Sequence, residues 1–144
     1  MEANRASFRI VLRWLPAVAC MAIIFALSAR TGGELDGWLP WARKLFPGLE
    51  TFDPVHYVAY FALAVAFAIG FGFGRMNAWR CLLVLVLSVA YGATDEWHQS
   101  YVPGRSPDWG DLLHDGIGAA VAVAAIWLWR RARLLASSKN YSGS

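Results

Sequence analysis

Residues 55–73 read VHYVAYFALAVAFAIGFGF, nineteen positions without a fully charged side chain. At about 1.5 Å per residue a helix of that length reaches across a hydrocarbon layer about 30 Å thick. A helix closes its backbone hydrogen bonds within one segment, so this stretch suits lipid as solvent. Working outward, comparable runs occur three more times. Residues 14–29 follow Arg5, Arg9 and Arg13; residues 79–94 continue as a more polar helix toward Tyr101; residues 112–129 precede Arg130, Arg131 and Arg133. The reading is an all-α integral membrane bundle of four transmembrane helices, over about 13–29, 54–73, 79–100 and 110–130, in one domain covering 1–144. The first run also has the length and basic flank of a signal peptide, with small residues in Ala26-Leu27-Ser28. A retained helix is the reading adopted.

Composition agrees. Of the 144 residues 58% are hydrophobic and 16% charged, against about 25% charged in a soluble domain. The net charge of +3 comes from arginines that flank the apolar runs, which reads as an orientation signal and not as a nucleic-acid surface. With both termini inside, nine basic residues lie on the cytoplasmic side and Arg30, Arg43, Lys44 and Arg105 on the outer side. Both termini are therefore expected in the cytoplasm. Cys20 and Cys81 fall within or beside apolar runs without metal-site spacing and read as core. Between 30 and 52, Trp38, Leu39, Trp41, Leu45 and Phe46 stand among prolines and glycines, which predicts a short segment lying in the membrane interface after the first helix. The polar stretch 136–144 reads as a disordered tail.

That topology gathers the ionisable residues. His56 opens the second helix; Asp95, Glu96, His98 and Gln99 close the third; Arg105 follows in the loop; Asp108, Asp111, His114 and Asp115 open the fourth. All fall on one side, the outer one. At about 100° per residue, Ser88, Tyr91, Asp95 and Gln99 share a face, with Glu96 and His98 on its two flanks. Asp111, Asp115, Gly118 and Ala122 form a stripe, and His56 and Tyr60 lie one turn apart. Asp108 and Asp111 stand at a helix N-terminus, where the dipole favours acids, so capping accounts for them as well as function does. Asp95 and Glu96 stand toward a C-terminus, where the dipole disfavours anions. They call for a cation, a proton or a hydrogen-bond donor, with Arg105 the first candidate and His56 the second. Intramembrane ionisable groups usually serve function. His98 and His114 read as plain interfacial histidines.

Several chemistries fit. Asp95, Glu96 and His56 are candidate acid–base residues. Arg105, Gln99, Asp111, Asp115 and Tyr60 are candidate ligand-binding residues, with Arg105 suited to a phosphate or carboxylate. His56, Glu96, Asp111 and Asp115 could hold a divalent metal, although their spacing matches no metal motif. Ser100 and Ser106 lack the surroundings of a nucleophile.

The string Asp95-Glu96-Trp97-His98-Gln99-Ser100-Tyr101-Val102-Pro103-Gly104-Arg105 resembles the acidic, glutamine and Pro-Gly-Arg signature of the VanZ-like family. Asp111, Asp115 and Gly118 resemble its next element, His56 with Tyr60 the histidine and tyrosine of its second helix, and Ser28 also fits. The similarity runs from about Ile23 to Ala122. Asp53 stands where the family often has lysine, and Asp115 where it often has asparagine, which leaves Arg105 as the main cation. The resemblance implies a multi-pass protein of the bacterial cytoplasmic (inner) membrane acting near cell-wall or lipid components. The expected partners are a membrane lipid or a lipid-linked envelope precursor, and no nucleic acid. The family's named member is associated with low-level resistance to glycopeptide antibiotics, particularly teicoplanin.

Overall fold

A computed structural model describes residues 8, 10–45, 47 and 53–141 of the chain. The longer helices among the described residues are α1 (Leu15–Ser28), α2 (Gly32–Leu45), α3 (Asp53–Phe71), α4 (Ala78–Gln99) and α5 (Trp109–Tyr141), with a 3₁₀ turn at Phe73–Arg75 between α3 and α4. No strand occurs among the described residues. Among the described residues four segments are long and apolar enough to cross a membrane: Ile10–Ser28, Pro54–Phe71, Ala78–Gln99 and Trp109–Ser137. The all-α bundle of four candidate spans is as expected.

Local chemistry sets the helix ends. Pro16 stands in the first turn of α1, where its missing N–H goes unneeded. Asn77 caps α4, its side chain accepting from the Arg80 N–H at 2.9 Å. Gly72, at φ 86°, turns the chain out of α3. The start of α2 is a capping box. The Thr31 N–H donates to Glu34 Oε2 at 2.9 Å, and the Glu34 N–H donates to Thr31 Oγ1 at 3.3 Å. That backbone N–H of Thr31 also holds the Glu34 carboxyl below its usual pKa.

α3 is the central helix, packed against α5, α1 and α4. It buries Tyr60, Leu63, Ala64, Phe67 and Ala68 against Ala119, Ala122 and Ile126 of α5, Ala17 and Ile24 of α1, and Val84 of α4. Small residues allow the close approach that membrane helices use in place of a hydrophobic drive. A β-carbon on Gly118 would collide with the Tyr57 carbonyl oxygen, and one on Gly92 would sit 2.6 Å from Asp115 Oδ2. The outward faces carry Val58, Val86, Val121 and Leu128, all exposed, as apolar side chains turned to lipid would be.

Two details go beyond the expectations. The segment after the first helix, read as lying in the interface, is itself a helix, α2, with Pro40 inside it, begun by the capping box. At the other end, α5 runs to Tyr141 where a disordered tail was expected from 136. Residues 130–136, Arg-Arg-Ala-Arg-Leu-Leu-Ala, are all strong helix formers. Residues 142–144 lie outside the described residues.

Candidate functional site

Successive spans run antiparallel, so one end of the bundle collects the C-terminal turns of α1 and α4 and the N-terminal turns of α3 and α5. This is where the sequence placed its ionisable residues, and the structure brings His56, Tyr60, Asp95, Glu96, Gln99, Arg105, Asp111 and Asp115 together there. Tyr91, on the same stripe as Asp95, ties α4 to α1 by donating its hydroxyl to the Met21 carbonyl at 2.6 Å.

One polar chain runs from the loop into α4. Arg105 Nε donates to Gln99 Oε1 at 3.1 Å, and Arg105 Nη2 donates to the same oxygen. Gln99 Nε2 donates in turn to Asp95 Oδ2 at 3.1 Å. Arg105 was expected to pair with a carboxylate directly. Among the described residues it makes no ion pair, because Gln99, one turn beyond Asp95, stands between them and relays the charge through its amide. The loop holding Arg105 is pinned by glycine backbone. Gly104 adopts φ 74°, and a β-carbon on Gly32 would collide with the Gly104 carbonyl oxygen. The Gly32 N–H reaches the Pro103 carbonyl at 3.4 Å.

A second set joins α3, α4 and α5. His56 Nδ1 is 2.9 Å from Asp115 Oδ1, and His56 Nε2 is 3.7 Å from Asp111 Oδ2. Glu96 Oε2 accepts from the Asp108 N–H at 2.7 Å. The hydrogen-bonding partner of His56 is thus Asp115, and not Asp95 or Glu96 as the sequence suggested, because Asp115 lies on the α5 face packed against α3. The capping alternative also resolves. Asp108 Oδ1 accepts from the Gly110 N–H at 2.7 Å and is a cap, whereas Asp111 faces His56. His98 stacks on Phe25 of α1 at 4.4 Å, away from this set. His114 had been set aside, yet its Nδ1 lies 3.6 Å from Asp111 Oδ1.

Between α1, α2, α3 and α4 lies a cavity of about 210 Å³. Ile24, Leu27, Leu35, Trp38, Val55 and Ala59 form an apolar wall, and Ser28, His56, Tyr60, Asp95, Gln99 and Arg105 form a polar end. Three buried atoms at that end make no well-formed hydrogen bond, Ser28 Oγ, Tyr60 Oη and Asp95 Oδ1, although the Ser28 hydroxyl lies near enough to the Asp95 carboxyl to interact with it. A buried polar atom left unpaired costs about 1–3 kcal/mol, so such atoms suit a ligand or water. The contribution of α2 was missed. Its signal was present: Leu35, Trp38, Leu39 and Ala42 recur at i, i+3, i+4 and i+7. The arrangement can hold an amphiphile, polar end toward Arg105. Beside it, ligand atoms of His56, Glu96 and Asp111 lie within 4.8 Å of one another, close enough to share a cation.

No curated protein and no solved structure matches the chain. The family model described as VanZ/LLP1 matches residues 13–130, from the start of the first span to the basic end of the last. That stretch contains every residue of the polar end, and the chain is a multi-pass membrane protein belonging to the VanZ-like family.

Proposed function

We propose that this protein binds, or modifies, an anionic lipid or lipid-linked cell-wall precursor at the polar end of its bundle. In this reading that end faces outward from the bacterial cytoplasmic membrane, with both termini inside. The observation that carries it is the two-part cavity, apolar along Leu35, Trp38 and Val55 and polar at Ser28, Tyr60, Asp95 and Arg105. A hydrocarbon chain matches the wall, and a phosphate or carboxylate matches the guanidinium of Arg105. Hydroxyl groups on the same headgroup would satisfy Tyr60 Oη, Ser28 Oγ and Asp95 Oδ1. Gln99 and His56 orient the site, Asp111 and Asp115 complete it, and Asp95 and Glu96 hold a cation or move a proton in any modification. Family membership extends the reading to a link with glycopeptide resistance.

The test is native mass spectrometry of gently extracted protein beside Arg105→Ala and Asp95→Asn. Wild type is expected to retain an anionic lipid that both folded variants lose. Equal retention in all three would overturn the reading.

A second reading has its own support. His56 with Asp115, and Glu96 with the Asp108 N–H, tie three helix ends together, as a non-catalytic accessory protein would need. It expects Asp95→Asn and Arg105→Ala to lower the yield of folded protein while surviving molecules keep their function.

A further inference from the structure

We infer that His56 Nε2, Glu96 and Asp111 form a binding site for one divalent metal ion of the zinc or manganese class, and that Asp115 is its positioning residue. This does not rest on what fills the cavity. The first observation is geometric. Three ligand atoms from three different helices lie within 4.8 Å of one another. His56 Nε2 and Asp111 Oδ2 are 3.7 Å apart, too long for a hydrogen bond. Two ligands each about 2.1 Å from one tetrahedral ion stand about 3.4 Å apart. That pair stands within a few tenths of an ångström of such a spacing, and Glu96 lies near enough to join it with a small side-chain shift.

The second observation is an unsatisfied carboxylate. Glu96 is 7% exposed. Its Oε2 is held by the Asp108 N–H, while its Oε1 is buried without a partner. One oxygen is held by the backbone and the other has no hydrogen bond of its own.

The third is the placement of the imidazole. Asp115, at 0% exposure, lies 2.9 Å from His56 Nδ1, which turns Nε2 toward Asp111, where a metal ion would take the place of a proton. A carboxylate behind a histidine is the usual outer support of a metal-bound imidazole. This differs from a set in which Asp115 is itself a ligand. One imidazole with two carboxylates suits Zn²⁺ or Mn²⁺ better than Ca²⁺ or Mg²⁺, which prefer oxygen alone.

The test uses the full chain without a histidine tag, purified in a neutral detergent, stripped with chelator and titrated with Zn²⁺ or Mn²⁺. Bound metal is counted after dialysis, and Mn²⁺ is also followed by paramagnetic resonance. One ion per chain is expected. Binding should weaken at least about tenfold in Glu96→Gln and Asp111→Asn, and about 10–100-fold in Asp115→Asn, which should keep the one-ion stoichiometry because it removes no ligand. His98→Gln, outside the set, should bind as wild type does. Asp111 is partly exposed, so Asp111→Asn provides a folded variant if Glu96→Gln is unstable. No saturable binding in wild type, or equal affinity in Glu96→Gln and Asp111→Asn, would overturn the site. Lipid retention measured in the chelator-stripped protein tests the cavity reading separately.

Discussion

At the end of the bundle where α1 begins, Arg80 Nη1 donates to the carbonyl oxygens of Phe71 and Arg75 at 3.2 and 2.9 Å, and Arg133 lies over the Trp129 ring at 5.0 Å. Those cations sit toward the surface and satisfy helix-terminal carbonyls or an aromatic face. At the other end carboxylates and His56 are drawn inward, with Asp95, Glu96 and Asp115 buried. There Asp95 Oδ1, Glu96 Oε1 and Asp115 Oδ2 have no partner. The same four helices thus treat charge in opposite ways. One end meets the demands of a membrane boundary, where long basic side chains snorkel. The other leaves buried polar atoms without partners, which fits the binding role proposed above.

The largest expected effect is at the buried carboxylate of α5. Asp115→Ala removes the partner of His56 and opens a void against Gly92. Breaking a buried pair of this kind costs about 3 kcal/mol, read as a shifted midpoint of unfolding in mixed micelles. Arg80→Ala, at the opposite end, should cost well under that. Equal losses would remove the contrast between the ends. Next in size is the loop. Gly104→Ala forces a side chain into a left-handed backbone conformation and should cost about 1–2 kcal/mol, with lipid retention falling as Arg105 is displaced.

How much of this was legible follows from particular residues. The four spans could be read because each is a long apolar run, uncharged in the first two and interrupted only by Arg80 in the third and Asp115 in the fourth, and their ends fell within a few residues of expectation except at the last. The convergence of His56, Asp95, Glu96, Gln99, Asp111 and Asp115 followed from an even alternation of spans. What could not be read was partner choice. Whether Arg105 meets Asp95 or Gln99, and whether His56 meets Asp115 or Glu96, depends on side-chain placement of an ångström or two. Helical periodicity fixes a face but not such a distance. The role of α2 was hidden for a different reason: Pro40 and the Gly32-Gly33 pair argued against a helix, while Thr31 and Glu34, which start it, are a short-range signal easily passed over.

A smaller effect, of opposite sign, sharpens the same contrast. Asp95 Oδ2 accepts from Gln99, a role an asparagine carbonyl can take over, while Oδ1 is buried without a partner. Asp95→Asn should therefore raise stability by about 1 kcal/mol, since it removes a buried charge that lacks a direct ion pair. It should also abolish lipid retention. A stabilised but inactive variant marks a residue held for function at a cost to the fold. A destabilised one would mark a structural lock and favour the accessory reading.

The smallest effect on stability is expected where the charge is greatest. Arg131 and Arg133 are exposed and Arg130 is half-buried beyond the last apolar turn, so replacing all three by glutamine should shift stability by no more than about 0.5 kcal/mol. Their role is in orientation. If the arginine end lies in the cytoplasm, as proposed, losing these three weakens the bias set by basic residues near the spans. A reporter fused after Ser144 should then show a mixed population, while wild type reports only the cytoplasmic side. Unchanged topology would place the determinant at the first span, with Arg13 and its basic neighbours, and the same reporter with Arg13→Gln added would show it. In either case the arginine end can lose its charges with little effect on the fold, and the carboxylate end cannot lose Asp115.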